Sequence, residues 1–337
     1  LVDFNPPESD GLFNVYIFEH REEYLDYTHH LFPNTGGVFI SGRALAAFLE
    51  GQGPDQLRRT LQHEAFHQFA YSAIGRNLPV WLNEGLAQVF EEGIYDGHSF
   101  RIGQVPPRRV RQLQYDVDHN QIVDFRDLMS MSETEWHKNM ADKERGTTQY
   151  NQSWAMVQYL IFAEDAPGKP RFRSRLIDML KLVHAGKNGH DSFVEAFSDN
   201  IDGFQQMFIN YARQIHSTPA AMYIEHQDIL ADMMINLKAR GKMFKEMANL
   251  RHEIERGRYQ VDYTLGPLKW TSGSDPSVYF QDLDGREFDN DHLYLQLRNG
   301  APLPDIISRP TEGLQLHTRF TQAGDKIVHE IIVESPG

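Results

Sequence analysis

"HEAFHQF", residues 63–69, decides the reading of this chain. It sets two histidines and a glutamate among aromatic and small apolar residues, where a plain core helix needs none of them. The surrounding pattern is helical. After Pro54 and Asp55, the apolar positions Leu57, Leu61, Ala65, Phe69 and Ala73 recur at helical spacing until Gly75 ends the run. Residues four apart on a helix share a face, so His63 and His67 project together and can reach one ion. Glu64 stands one position round, poorly placed to ligate that ion but able to hydrogen-bond a water beside it. This is the physical content of the HExxH pattern, in which two imidazoles hold zinc and the glutamate serves as base. Composition alone can produce such a pattern by chance in a histidine-rich chain, so a third ligand has to be found elsewhere.

The chain has no cysteines, which removes disulfides and thiolate ligands and leaves His, Asp and Glu as candidates. A tetrahedral catalytic site takes three protein ligands and keeps a fourth position open. The next helix supplies the third: Pro79 suits a first-turn position, and "VWLNEGLAQVFEE" runs to Gly93. A short loop followed by an antiparallel return would bring Glu84 back against the first helix. Its neighbours Val80, Trp81, Leu82, Leu86, Ala87, Val89 and Phe90 are apolar, and a carboxylate buried among them is costly without a partner. A cation is one such partner.

His63-Glu64-x-x-His67 followed by Asn83-Glu84-Gly85-x-Ala87 resembles the gluzincin metallopeptidases, the group that includes thermolysin-like and aminopeptidase N-like enzymes, and bacterial gluzincin-like domains of uncharacterised function. The resemblance implies that His63, His67 and Glu84 are the zinc ligands and Glu64 the catalytic base. A third segment, "QYNQSWAMVQYL" at 149–160, resembles the gluzincin helix in which a tyrosine precedes a small residue and an apolar run. Tyr150 matches that tyrosine and Ser153 the small position, which implies a phenol donating to the oxyanion of the attacked carbonyl. Two departures limit the carry-over. Sixteen residues separate His67 from Glu84, against eighteen in aminopeptidase N-like enzymes, and the Gly-x-Met-Glu-Asn segment that captures a substrate N-terminus there has no counterpart here. Endopeptidase action on a peptide or protein substrate is therefore the expectation, with "GGVFI" at 36–40 as the strand edge along which substrate adds. The competing expectation is a zinc-containing binding or scaffold protein whose peptidase-like fold has lost turnover. The presence of a base argues against it. Around the ligands, Gln88 and Glu91 are the nearest sequence candidates to accept the outer imidazole N–H groups.

The resemblance covers roughly residues 12–216, and the rest is read from pattern. The expected fold class is α+β: a mainly helical zincin-like domain over 1–216 with a small N-terminal sheet, a helical connector over 217–260, and a small β-rich module over 261–337. Strands are expected at 12–18 and 36–40, a hairpin or loop at 94–104, and helices from "PPRRVRQLQ" and at 148–163, 171–185, 191–198 and 202–216. Charged amphipathic segments follow at roughly 220–240 and 242–257, then strand-like runs at 277–281, 292–297, 313–321 and 326–333.

The formal net charge of −14 over 337 residues disfavours a nucleic-acid partner or an anionic membrane surface. "RRVR" at 108–111, the one dense basic patch, reads as a solvated helix face. No apolar run has membrane-spanning length. The chain begins "LVDFNPPESD", without Met or a signal-like segment, so either a leader has been removed or the sequence starts inside a longer chain; an extracytoplasmic or secreted location is the expectation. Calcium is a second candidate ion, because Asp116, Asp118, Asn120, Asp124 and Asp127 fall at calcium-loop spacing. Gln121 stands where that turn wants Gly, however, and Asp127 where it uses a bidentate Glu, so a solvated acidic loop leading into a helix is the competing reading. Oligomeric state is not legible.

Overall fold

The computed structural model describes residues 14–335 apart from 42–43, 258, 266–267, 272–274, 283, 290–291 and 312, and only the backbone of 143, 263–265 and 268–271. Leu12 and Phe13 of the first expected strand lie outside the described residues. The chain divides into two compact units. The first takes the chain up to Gln52, Leu57–Gly93 and Arg108–His216, and the second takes Gly53–Gln56, Ile94–Pro107 and the chain from Ser217 onward. The architecture is mixed α+β, with helices dominating and small sheets. Among the described residues no helix is long and apolar enough to cross a membrane.

The first unit opens with β1 (Asn14–Phe18), α1 (Arg21–Tyr27), β2 (Gly37–Ile40) and β3 (Ala44–Phe48). The sheet order is β1-β3-β2, with β1 parallel and β2 antiparallel to β3. The central strand β3 was not expected. Its sequence "ALAAF" has little β-propensity, but every residue is buried, and small side chains suit a strand covered on both faces. Tyr24 and Leu25 of α1 pack against Ala46 and Phe48. This leaves β2 as a sheet edge, with Phe39 opposite Leu45 in the register.

The helices α2 (Pro54–Ala73) and α3 (Val80–Glu91) follow as expected, then a hairpin of β4 (Ile94–Tyr95) and β5 (Phe100–Arg101) that belongs to the second unit. The first unit resumes with α4 (Pro107–Asp118), α5 (Phe125–Ser130), α6 (Glu133–Met140) and α7 (Lys143–Phe162). A short hairpin of β6 (Glu164–Ala166) and β7 (Lys169–Pro170) leads to α8 (Arg173–His184), α9 (Gly189–Ala196) and α10 (Ile201–Gln214). α5 and α6 are too short to show a period in the sequence; side chains of Asp124 and Ser132 cap them. The close approach of α3 to α7 depends on Gly85: a Cβ there would overlap the Ser153 carbonyl and stand 2.6 Å from Val157 Cγ2. The glycine beside Glu84 thus lets the α7 backbone at Ser153 come close to α3.

In the second unit α11 (Pro219–Ala239) and α12 (Met247–Gly257) precede a hairpin of β8 (Asp262–Leu265) and β9 (Leu268–Thr271). A 3₁₀ turn (Pro276–Phe280) and the strands β10 (Leu293–Gln296), β11 (Asp305–Ser308), β12 (Gln315–Ala323) and β13 (Lys326–Glu334) complete it, the four strands forming an antiparallel sheet in sequence order. Two expectations are corrected here. The 277–281 run is not a strand: Pro276 and the Asp275 side chain, which accepts from Ser277 N–H, start a 3₁₀ turn. Residues 217–260 are not a separate connector either. Leu230, Met234 and Leu237 of α11 and Leu250 and Ile254 of α12 share one core with Leu293, Ile306 and Phe320 of the sheet.

Candidate metal centre

The structure brings His63, His67 and Glu84 to one point. His63 Nε2 is 3.0 Å from His67 Nε2 and 3.5 Å from Glu84 Oε2, and His67 Nε2 is 3.6 Å from Glu84 Oε1. Ligand atoms about 2.0–2.1 Å from a tetrahedral zinc stand about 3.3 Å from one another. The observed triangle has that size. Among the described residues it is the one group of three or more His, Asp or Glu side chains gathered closely enough to hold a metal.

The hydrogen bonds behind the rings fix which nitrogen carries the proton. His63 Nδ1 lies 3.0 Å from Glu91 Oε2 and His67 Nδ1 3.2 Å from Asn83 Oδ1. Both partners are acceptors, so both Nδ1 atoms donate and both Nε2 atoms present lone pairs. Two lone pairs and a carboxylate facing each other repel unless a cation lies between them. The donor set therefore fits a divalent ion of zinc's ligand preference. Without the ion, a proton on the His63 ring answers the same negative surroundings. Burial lowers the His63 pKa, but Glu84, Glu91 and Glu64 outweigh it and hold the imidazole well above its ordinary value. Burial raises the Glu84 pKa, and His67 and His63 overcome it and bring the carboxyl below its usual range.

Glu64, on the next position of α2, turns its carboxylate to the sheet edge: Oε2 accepts from the Phe39 N–H at 2.6 Å. The Phe39 amide of the edge strand β2 thus fixes one oxygen of Glu64.

Three sequence expectations meet surroundings that the sequence did not show. First, the Tyr150 hydroxyl donates to Glu91 Oε2 at 3.3 Å and lies 3.5 Å from His63 Nδ1. Burial first, then Glu91, raises the phenol pKa well above its ordinary value, so it stays protonated. Second, "RRVR" is not a solvated face, since Arg108 and Arg109 are buried, Arg109 at 0% exposure. Third, the acidic residues at 116–127 do not converge. Asp116 is fully buried on α4, where Oδ1 accepts from Gln112, while Asp124 caps α5 through Arg126 N–H, and Asp118, Asn120 and Asp127 are exposed. Of the two candidates to accept from the outer imidazole N–H groups, Glu91 lies against His63 Nδ1, whereas Gln88 accepts from Arg109 Nη1 at 2.9 Å.

Sequence reasoning missed Asn83, the Phe39 amide and Arg109. Asn83 was visible beside Glu84 in the quoted motif; the other two depend on tertiary contacts that leave no mark in spacing. Residues 58–167, a third of the chain, match the model of a family described as "Protein of unknown function (DUF1570)", and the matched span includes His63, Glu64, His67, Glu84 and Tyr150. Neither the curated proteins nor the solved structures compared with the chain gave a match.

Proposed function

We propose that this chain is a zinc-dependent peptidase of the gluzincin kind, with a zincin-like first unit acting as an endopeptidase. The observation that carries the reading is the triangle of two Nε2 lone pairs and one Glu84 oxygen, 3.0–3.6 Å on a side, with the Glu64 carboxylate on the adjoining helix position. His63, His67 and Glu84 would hold the metal. When bound, zinc supplies a Lewis acid that makes water acidic enough to be deprotonated near neutral pH and draws electrons from a peptide carbonyl.

The chain's own residues do the rest. Glu64 takes the proton from the attacking water and returns it to the departing amine, a general base and then a general acid. The Phe39 amide keeps one Glu64 oxygen in place, which leaves the other to face the water. The outward backbone groups of β2 other than the Phe39 N–H, which Glu64 holds, offer a peptide backbone an edge to pair with, so the substrate is oriented before reaction. Glu91 and Asn83 hold the rings through Nδ1, and Tyr150 supports Glu91.

A second reading, a zinc-containing binding protein without turnover, draws on one observation: the phenol expected to stabilise the oxyanion is turned to Glu91. Metal analysis together with a mixed peptide library, on wild type and Glu64→Gln, separates the two. The peptidase reading expects one zinc in both proteins and cleavage in wild type alone. Cleavage that persists in Glu64→Gln defeats the mechanism, and zinc without cleavage in either protein favours the binding reading.

A further inference from the structure

Behind Glu91 lies a group of charges that the proposed chemistry does not use. Glu92 is met by three guanidinium groups: Arg59 Nη1 at 2.5 Å, Arg108 Nη2 at 2.6 Å from one oxygen and 2.5 Å from the other, and Arg109 Nε at 2.6 Å. Burying an ion without compensation is expensive, and one carboxylate does not need three cations to compensate it. Arg59 and Arg108 already exceed the charge of Glu92.

The placement of Arg109 shows where its own charge is directed. The side chain is wholly buried. Its Nη1 donates to Gln88 Oε1 at 2.9 Å, and the guanidinium carbon lies 5.1 Å from the centroid of the Trp154 ring and 5.9 Å from that of Tyr150. With Nε on Glu92 and Nη1 on Gln88, the planar fork has no freedom to rotate. The remaining nitrogen, Nη2, makes no hydrogen bond among the described residues and stands 3.7 Å from Glu91 Oε1. The other oxygen of that carboxylate is the one that His63 Nδ1 reaches. Glu91 is therefore held between His63 on one oxygen and Arg109 on the other. Burial alone would raise its pKa, yet His63 and Arg109 bring it below the usual carboxylate range.

We propose that Arg109 is a positioning residue of the metal centre: fixed by Glu92 and Gln88, it holds the Glu91 carboxylate against the His63 ring, so that Nε2 stays presented to the ion. This rests on the metal reading above. Arg109 acts through Glu91 and touches neither ion nor substrate.

The test measures zinc affinity of the full chain by competition with a chromophoric chelator, for wild type, Arg109→Gln, Glu91→Gln and the double variant, at a temperature where circular dichroism shows each folded. Removing a group that orients a ligand costs roughly ten- to a hundredfold in metal affinity. Each single variant is expected to lose that much, and the double variant no more than the weaker single, because both changes remove one interaction. The visible spectrum of the cobalt(II)-loaded protein is expected to shift in the same way in both single variants. If Arg109→Gln does not fold, Arg109→Lys is used, which keeps the charge but cannot bridge Glu92, Gln88 and Glu91, and a loss of about tenfold is expected. Wild-type affinity in the Arg109 variant, or losses that multiply in the double variant, overturns the inference while leaving the metal site standing. Absence of zinc from wild type overturns the metal reading and this inference with it.

Discussion

Asp116 offers a stability measurement whose sign and pH range follow from its surroundings. It is fully buried on α4, with Gln112 donating to Oδ1 at 2.8 Å and no hydrogen bond to Oδ2 among the described residues. Burial pushes its carboxyl from 3.8 up to about 6, and nearby Glu144 adds to the rise. Since the folded pKa lies above the unfolded one, the fold holds a proton that the unfolded chain has lost between pH 4 and 6. Stability from this group therefore falls as pH rises through that window, and the loss is complete above it. Moving a carboxyl from 3.8 to about 6 is worth about 3 kcal/mol, and leaving a buried acceptor unsatisfied costs about 1–3 kcal/mol by a separate route. We expect Asp116→Asn to stabilise the protein by about 2 kcal/mol at pH 7.5, which for a unit of this size raises Tm by about 4–8 °C. At pH 3.5 both side chains are neutral and the difference should vanish. Thermal unfolding of both proteins at the two pH values, with and without added calcium, is the assay. A destabilised Asp116→Asn at pH 7.5, a difference independent of pH, or a calcium-dependent rise in wild-type Tm that the variant lacks would refute the reasoning and restore the calcium loop.

Three further outcomes are expected. Gly85→Ala should destabilise the first unit by about 1–3 kcal/mol, because the new methyl meets the Ser153 carbonyl and Val157; an unchanged Tm would show that α3 and α7 can separate freely. Phe39→Pro removes the amide that holds Glu64 without breaking a bond to β3, which proline tolerates at a sheet edge. Peptide turnover should drop roughly tenfold or more with zinc affinity unchanged, while Phe39→Ala, which keeps the amide, retains activity. In the second unit, His329 lies 2.7 Å from Asp228 and 3.5 Å from Asp232; burial lowers its pKa, but these carboxylates raise it above the ordinary 6.5. The stability it contributes is fully present below pH 6.5 and is lost as pH rises through the folded value, so His329→Gln should destabilise at pH 6 and have a smaller effect at pH 9, measured by denaturant unfolding.

What the sequence made legible follows the range of each interaction. The convergence of His63, His67 and Glu84 could be read because HExxH is a local helical pattern and Glu84 stands on the next helix, where one short loop fixes the return. The long helices carried their own period. β3 could not be read, because "ALAAF" becomes a strand only through burial between β1 and β2. Arg108 and Arg109 were misread for the same reason: four residues of basic sequence look solvated until Glu92, seventeen positions before Arg109, is folded against them. The Tyr150 segment showed its helix, but the hydrogen bond of its hydroxyl to Glu91, which stands on another helix, left no mark in the local pattern.

The central claim is that the two Nε2 lone pairs and the Glu84 carboxylate are held together by a single dication. Anomalous diffraction at the zinc edge, on crystals grown with equimolar zinc, tests it most directly. The account predicts one strong peak about 2.0–2.1 Å from His63 Nε2, His67 Nε2 and a Glu84 oxygen. A zinc peak elsewhere with none at this point, or Glu84 turned away from both rings, would contradict it.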